Sequence, residues 1–397
     1  MTSAEAPEHG GQIPTPRWWR RFRYIPLTLL VILSIVAAII GWTAQYRLDR
    51  ANNAIASVPR AGDQTASSDA CRTPVELPAG SPWTDDRDKA ESVWTAHAKD
   101  LAGPVVRGAD GWAFYNDQIE QNFSQAIGRR LLTVSETAKW RDYFTSIADA
   151  LEAKGIELSI EITPSSSSVY PENLPSWAEK LRGPTPLDQL LMDAPHLPLL
   201  DFRADLRAEA KKNAVYTPVN SHWTDWGGYV GWKTYAACHD ARYPQNPKIV
   251  VPDVAAVRSK GVYNEYASYG IADATPEWTA PVFAAELPDV TVTDKDQSTK
   301  TVSGSTPVDL TSLPASTENA KSASPQKALI LRDSMGGALS TFWDQQYAQT
   351  WQLQHRYDDW SSPPNYANLV AQYQPDVVII QLAERHLVNA PPTTSGF

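Results

Sequence analysis

Two side chains of this 397-residue chain could together form a nucleophile and the base that activates it, namely Ser334 and His222. Ser334 lies in "ALILRDSMGGAL", where a buried-strand pattern at residues 328–331 turns into a helix. A serine at such a turn exposes its hydroxyl at a sheet edge, and the N–H groups of Ser334 and Met335 point to where an oxyanion would form. Taken alone the motif is weak, because serines at helix starts usually act as caps.

His222 lies in "NSHWTD", just before a predicted helix. A serine nucleophile needs a base within hydrogen-bond reach, and that base needs a partner that orients it. Asn220, two residues earlier, is the local candidate for this partner, and Asp225 is the alternative acid. The competing interpretation is a structural histidine that Trp223 and Trp226 hold in place.

Signals for helices and strands alternate after residue 100. Apolar residues at helical spacing after Ser135 predict a helix that stops at Gly155, and "IELSIEITP" then predicts a strand. Two further buried strands are predicted within "KALILRDSMGGAL" and "PDVVIIQLAER". Such alternation predicts an α/β domain with a mainly parallel sheet. Residues 245–325 are rich in Val, Thr, Pro and Ser and predict an irregular or β-rich insertion.

An apolar stretch near the start of the chain decides the expected compartment. Residues 25–43 are apolar apart from Thr28 and Ser34, and about 20 such residues cross a bilayer. Four arginines precede the stretch, and the positive-inside rule keeps that end in the cytoplasm. A cleaved signal peptide is the competing interpretation, although its apolar region would be shorter.

We therefore expect a single-pass protein of the cytoplasmic membrane with an extracytoplasmic C-terminal domain. The expected segments are a cytoplasmic tail at 1–24, a transmembrane anchor at 25–43, a linker at 44–95 and the domain itself at 96–397.

Composition excludes several other kinds of site. The chain has 35 basic and 45 acidic residues, a net charge of −10, so it has no general attraction to nucleic acid. It contains neither a nucleotide-binding loop nor a metal-binding cysteine pattern, so we expect no cofactor and no metal. Outside the cytosol its two cysteines, Cys71 and Cys238, are expected to form a disulfide. The alternative is two unrelated buried thiols.

Five blocks of sequence, taken in order, resemble a known family. They are "GADGWAFY", "ITPSSSSVYPENLP", "NSHWTDWGGYVGW", "LILRDSMGGAL" and "PDVVIIQLAERHL". The pattern resembles the SGNH-hydrolase-like domain of the alginate O-acetyltransferases, the AlgX/AlgJ-like family, over about residues 100–390. The resemblance implies a three-layer SGNH-like fold. By position it implies that Ser334 is the nucleophile, His222 the base and Asn220 the orienting residue.

The resemblance also implies an activity. We expect a membrane-anchored, extracytoplasmic O-acyltransferase that moves an acyl group, usually acetyl, onto a cell-envelope or exported polysaccharide through an acyl-serine intermediate. Acetyl-CoA is cytoplasmic, so a domain that faces outward needs its acyl groups delivered across the membrane. The implied partner is a membrane-bound O-acyltransferase of the MBOAT type.

Three departures from the family pattern bear on the site. Asn220 stands where the family has aspartate, Arg332 where it has the glycine of a Gly-Asp-Ser block, and Ser165 where it often has lysine. An asparagine oxygen can accept the imidazole N–H but adds no negative charge, and the corresponding loss in a serine protease costs about 10⁴ in kcat. The alternatives are a slower enzyme, an enzyme that uses Asp225 or another acid, and a domain that binds glycan without catalysis. An esterase would use the same three residues, with water replacing the sugar hydroxyl.

Overall fold

The computed structural model describes residues 18, 22, 24–60, 71–72, 75–259, 261, 263–271, 277–392 and 395–397. Most of the predicted cytoplasmic tail at 1–24, with its arginines, lies outside the described residues, as does the linker sequence at 61–70. The chain divides into two compact units, Met1–Ala54 and Ile55–Phe397.

The described part of the first unit contains one long helix, α1, Ile25–Asn52. By length and composition this helix could cross a membrane, and a signal sequence near an N-terminus would satisfy the same criteria. None of its residues is buried, so its apolar side chains are exposed along its whole length. The helix continues past residue 43, where the apolar stretch of the sequence ends.

Within the part of the chain that the structure describes, the second unit contains the remaining helices and the strands. The helices are α2 (Pro82–Asp85), α3 (Arg87–Ala96), α4 (Asn122–Ala126), α5 (Val134–Glu152), α6 (Ser166–Val169), α7 (Ser176–Glu179), α8 (Pro186–Asp193), α9 (Arg203–Ala210), α10 (Asp225–Arg242), α11 (Gly337–Gln346) and α12 (Tyr366–Tyr373). The strands are β1 (Val105–Arg107), β2 (Ala113–Tyr115), β3 (Glu157–Thr163), β4 (Leu199–Asp201), β5 (Val254–Ser259), β6 (Thr279–Phe283), β7 (Val290–Thr293), β8 (Thr299–Val302), β9 (Ala315–Glu318), β10 (Ser324–Arg332), β11 (Tyr347–Gln354) and β12 (Val377–Ala383). Turns of 3₁₀ helix lie at Pro171–Asn173, Glu265–Tyr269, Leu310–Ser312 and Glu384–Val388.

The main sheet has eight strands in the order β4-β3-β12-β10-β11-β9-β7-β8. The first five are parallel to one another, and β9, β7 and β8 continue the sheet with antiparallel pairings. The α/β class is confirmed, with a mixed sheet. The antiparallel strands come from the segment 245–325, which therefore extends the sheet and also supplies a separate β5–β6 hairpin.

Strand β10 is apolar without alternation because both faces of the sheet are covered. Ala328 and Ile330 pack into the core beneath α10 and α11, whereas Leu329 and Leu331 pack into the core beneath α5, α8 and α12. A strand buried on both faces reads as a continuous apolar run. The two cores and the sheet between them make up the expected three layers.

The helix α5 begins two residues earlier than the sequence pattern predicts. Its N-cap is Thr133, not Ser135, and the Thr133 hydroxyl accepts the Glu136 N–H at 3.2 Å. The Glu136 carboxylate in turn accepts the Thr133 N–H at 2.8 Å, which completes a capping box. The sequence Thr-Val-Ser-Glu carries this signature, and the serine inside it lies in the first turn.

The segment predicted as a linker, 44–95, contains folded structure. It includes α2 and all of α3 except the last residue, and the Trp83 indole N–H donates to the Ile127 carbonyl at 2.9 Å. A disulfide joins Cys71 to Cys238 on α10. The compact unit consequently begins at Ile55, ahead of the expected boundary at residue 96.

Gly228 in α10 lets this helix approach α11 closely. A Cβ placed on Gly228 would lie 2.5 Å from the Ala338 carbonyl oxygen and 2.6 Å from the Ala338 Cβ. Such distances are far inside van der Waals contact, so only glycine fits at this crossing. Gly228 therefore serves packing between helices, even though a glycine lowers helix propensity.

We expect Gly228→Ala to lower the free energy of unfolding by about 1–3 kcal/mol, because the added methyl group must push α11 away. Urea unfolding of the detergent-solubilised chain measures the change. Gly337→Ala is the matched control, since a Cβ at Gly337 meets no atom within 4 Å. Equal losses in the two variants would contradict the packing argument.

Candidate active site

Ser334 lies in the turn that connects β10 to α11, at the carboxyl edge of the parallel strands. The side chain of Asp333 shapes this turn by accepting the Met335 N–H at 2.7 Å and the Ala383 N–H, at the end of β12, at 2.6 Å. The carboxylate thus ties the serine turn to the neighbouring strand end. As expected from the strand–turn–helix pattern, the Ser334 hydroxyl lies at the rim of the sheet.

His222 reaches this rim from the loop that precedes α10. The Trp223 indole N–H donates to the Met335 carbonyl at 2.7 Å, and this buried bond joins the two segments. Thr224 begins α10 as its N-cap, accepting the Gly227 N–H at 3.0 Å. With both ends of the loop fixed, His222 Nε2 lies 2.9 Å from Ser334 Oγ.

Asn220 orients the imidazole from its other nitrogen. Its Oδ1 lies 3.0 Å from His222 Nδ1 and also accepts the His222 backbone N–H at 2.9 Å. Its Nδ2 donates to the Tyr263 carbonyl at 3.2 Å, which fixes the amide with the oxygen towards the ring. Nδ1 must therefore carry the imidazole proton, which leaves the Nε2 lone pair facing the serine hydroxyl.

A carboxylate that sequence reasoning did not identify lies beside the same nitrogen. Glu265 Oε2 is 3.5 Å from His222 Nδ1, and the Glu265 carboxylate accepts the Ser221 N–H and the Tyr115 hydroxyl, each at 2.7 Å. Asp225, the alternative acid of the sequence, instead starts α10 and accepts the Trp278 indole N–H at 3.0 Å.

Glu265 is held in its charged form. Burial disfavours that charge, but the adjacent His222 imidazole, the Ser221 N–H and the Tyr115 hydroxyl together lower the pKa of Glu265 to about 2. The residue lies 44 positions after Ser221, in a segment without clear helix or strand pattern. No local signal in the sequence relates it to the histidine.

Arg332, which replaces the family glycine before Asp333, is fully buried. Its guanidinium donates to Gln352 Oε1 at 2.8 Å and to the Val308 carbonyl at 2.7 Å, while burial lowers the pKa of Arg332 to about 10. A Cβ at Gly336 would lie 2.6 Å from the Arg332 Cδ. Gly336 therefore makes room for the arginine, which holds the loop at Val308 against the sheet.

The two predicted oxyanion donors differ in their surroundings. The Met335 N–H donates to Asp333 Oδ1 at 2.7 Å, so in this conformation it serves the turn and not the cleft. Among the described residues the Ser334 N–H has no acceptor. Of the predicted pair, Ser334 is the donor that remains available to a ligand.

A cleft of about 560 Å³ opens over the Ser334 hydroxyl. Its wall combines aromatic, aliphatic and polar side chains, with Tyr263 61% exposed. The lining includes His222, Trp223, Asp225, Tyr263, Trp278, Val308, Asp309, Leu310, Arg332 and Met335. Much of this wall comes from the segment 245–325, so this segment shapes the site as well as the sheet.

One potential ligand atom from each of Asp333, His355 and His386 lies within 4.8 Å of the other two, a spacing that metal sites also show. The Nδ1 of His355 accepts the Tyr357 N–H at 2.9 Å, so the neutral ring carries its proton on Nε2, which faces Asp333. His386 lies between Glu120, 2.7 Å from Nδ1, and Asp333, 3.2 Å from Nε2. In these contacts both Nε2 atoms face the Asp333 carboxylate, so the side chains form an ion-pair network.

The charges in this network support one another. Burial alone would lower the pKa of His386, but its bonds to Asp333 and Glu120 raise it to about 9. For Asp333 burial acts in the opposite direction and would raise the pKa, but the two histidine partners hold the pKa of Asp333 well below its usual range. The network therefore keeps Asp333 anionic, as its role in the serine turn requires.

This network predicts a pH-dependent stability. His386 titrates near 9 when folded and near 6.5 when unfolded, so its contribution is complete below about pH 6.5 and is lost as pH rises to about 9. We expect the difference in unfolding free energy between the wild type and His386→Gln to shrink by about 2–3 kcal/mol across that window. Urea titrations at several pH values measure it, with the exposed His196→Gln as control. A difference that stays constant with pH would contradict the assignment.

Comparison with known proteins identifies the family. The profile described as "SGNH hydrolase-like domain, acetyltransferase AlgX" matches residues 105–307, just over half of the chain. No curated protein sequence matches the chain.

Several solved structures are similar to this chain. Bacillus cereus PatB1 with a sulfonyl adduct superposes with a TM-score of 0.51 at 13% identity, covering 71% of this chain and 94% of that one. The O-acetyltransferase domain of Pseudomonas putida AlgJ gives 0.43 at 16% identity, covering 72% and 94%. Pseudomonas aeruginosa AlgX gives 0.39 at 17% identity, covering 72% and 67%. The PatB1 likeness supports the fold, and the profile match shows that the chain belongs to the family of SGNH hydrolase-like acetyltransferase domains represented by AlgX.

Proposed function

We propose that this protein is a membrane-anchored, extracytoplasmic O-acetyltransferase that modifies an exported polysaccharide through an acetyl-Ser334 intermediate. The observation that carries the proposal is the 2.9 Å contact between Ser334 Oγ and His222 Nε2, with Asn220 fixing the tautomer that makes Nε2 a base. Membership of the acetyltransferase family supports the reaction class.

In the first half-reaction Ser334 Oγ attacks the carbonyl carbon of the acetyl donor. His222 Nε2 accepts the hydroxyl proton as the new C–O bond forms, which makes the imidazole cationic. The same proton then passes to the leaving group of the donor as its bond to the acetyl carbon breaks. Splitting the transfer into two covalent steps replaces one difficult step by two easier ones.

In the second half-reaction a sugar hydroxyl takes the place of the leaving group. Its oxygen attacks the acetyl-Ser334 carbonyl while His222 Nε2 accepts its proton. The ester bond to Ser334 Oγ breaks, and the proton returns to that oxygen. The free serine is restored, and the acetyl group has moved to the glycan.

The negative oxygen of each tetrahedral intermediate requires donors that are in place before the reaction. The Ser334 N–H is the backbone group that we assign to this role, since the Met335 N–H is engaged by Asp333. The aromatic side chains of Tyr263 and Trp278 on the cleft wall provide flat apolar surfaces suited to a sugar ring.

The donor and the anchor complete the proposal. We assign α1 as an uncleaved membrane anchor, which places the second unit outside the cytoplasm, where Cys71 and Cys238 can remain oxidised. The acetyl groups would then arrive across the membrane through a multi-pass acyltransferase of the MBOAT type.

We expect Ser334→Ala to lose covalent labelling by phenylmethylsulfonyl fluoride and to lower kcat/KM for an acetyl ester at least about 10³-fold, because no acyl-enzyme can form. A sulfonyl reagent is apt because PatB1, a structural relative, has been seen with a sulfonyl adduct. Intact-mass spectrometry detects the label, and the exposed Ser298→Ala is the control. Labelling that persists in Ser334→Ala would reject this serine as nucleophile.

Transfer is separated from hydrolysis by adding an oligosaccharide acceptor to the same assay. We expect the wild type to produce an acetylated oligosaccharide, detected by mass spectrometry, in preference to free acetate. Release of acetate alone, with acceptor present, would identify the protein as an esterase.

The anchor assignment predicts that the mature protein in cells keeps α1. Intact-mass analysis of the protein extracted from the membrane fraction should find the chain uncleaved before Ile55. A mature form that begins after α1 would show that the helix is a signal sequence, and would leave the chemistry of the second unit unaffected.

A further inference from the structure

We propose that Glu265 is a positioning residue that supplies the negative charge which Asn220, in the place of the family aspartate, lacks. The proposal rests on the function assigned to Ser334 and His222. In this proposal two residues share the role that a single aspartate has in a Ser-His-Asp triad. Asn220 accepts the imidazole N–H, and Glu265 stabilises the imidazole cation.

Distances to the imidazole support this division. Asn220 Oδ1 is 3.0 Å from His222 Nδ1, a good hydrogen bond, whereas Glu265 Oε2 is 3.5 Å away, which is too long for a strong hydrogen bond. Charge acts at that range nonetheless, because Coulomb energy falls only with the inverse of distance and the site is partly shielded from water. The cation formed when His222 takes a proton is therefore stabilised through space.

The backbone of the Glu265 turn is fastened to the segment that carries the histidine. The N–H groups of Glu265 and Tyr266 both donate to the Val219 carbonyl, at 3.1 and 3.3 Å. Tyr266 is buried in a small core with Val219, Val105 and Ala113. Val219 immediately precedes Asn220, so the carboxylate is placed by the same stretch of chain that places the base.

The side chain of Glu265 is fixed just as firmly. The Ser221 N–H and the Tyr115 hydroxyl hold its two oxygens, each at 2.7 Å. Asp225, the alternative acid, is instead engaged by the Trp278 indole N–H at 3.0 Å. A carboxylate that is held at both oxygens, charged and aimed at the base requires little reorganisation when the imidazolium forms.

A purely structural role is the competing explanation, in which Glu265 only secures the loop. A glutamine keeps oxygen and size, so Glu265→Gln removes the charge and retains an acceptor for the Ser221 N–H. The Asn220→Asp substitution restores a charge at the other side of the same nitrogen. If Asn220→Asp restores activity to Glu265→Gln, the activity was lost because the charge near His222 was removed, and not because the loop was loosened.

The test uses the full-length chain in detergent and measures the second-order rate of phenylmethylsulfonyl fluoride labelling, together with kcat and KM for an acetyl ester. We expect Glu265→Gln to slow labelling and kcat about 10- to 100-fold with little change in KM, less than the loss seen when a triad aspartate is neutralised, because Asn220 still holds the tautomer. Glu265→Asp should fall between it and the wild type.

Two comparisons complete the design. The double variant Glu265→Gln/Asn220→Asp should label at least about fivefold faster than Glu265→Gln alone, while Glu318→Gln, which neutralises an exposed carboxylate on β9, should match the wild type. If Glu265→Gln folds and labels at the wild-type rate, or if Asn220→Asp gives no rescue, the proposal is overturned.

A readout independent of acyl chemistry separates this inference from the proposed function. In spectra of the chain labelled with ¹⁵N-histidine, the resonances lost in His222→Gln identify that ring. Removing a neighbouring anion disfavours the cation, so its titration midpoint should move to lower pH by about one unit in Glu265→Gln. If the wild type fails to label at Ser334, the proposed function fails and this shift still decides the role of Glu265. An unmoved midpoint would refute it even if catalysis is intact.

Discussion

The hydrogen bond from the Trp223 indole to the Met335 carbonyl is the contact on which the site depends. It joins segments 112 residues apart, and the residues next to Trp223 and Met335 in sequence, His222 and Ser334, are in contact beside it. Gly228 allows α10 to lie against the first turn of α11, so the helices that follow the two residues are held as closely as the residues themselves.

Much of this arrangement could be predicted from the sequence because its determinants are local. The uninterrupted apolar run of β10 indicates a strand covered on both faces, and the small residues after Ser334 indicate a tight entry into a helix. The carboxyl ends of parallel strands meet at one edge, so Ser334 could be placed at a rim. The short spacing from Asn220 to His222 likewise anticipates the contact between their side chains.

What the sequence could not reveal depends on contacts between distant segments. The strands β7, β8 and β9 arise from a stretch with weak patterning, and their antiparallel pairing follows from neighbours that no periodicity encodes. Glu265 lies in the same stretch, where a lone glutamate ordinarily means an exposed side chain. The ion-pair network of Glu120, His386 and Asp333 likewise brings together residues from three separate segments.

The hydrogen bond made by the Nδ2 of Asn220 gives a physical reason for an asparagine at this position. Its Nδ2 donates to the Tyr263 carbonyl at 3.2 Å, a bond that an aspartate could not make. Tyr263 lines the cleft and lies two residues before Glu265, so the amide fastens both the cleft wall and the turn that carries the carboxylate. Asn220 therefore lacks the charge that an aspartate would place beside His222, but it holds the loop that places the Glu265 carboxylate near the same ring.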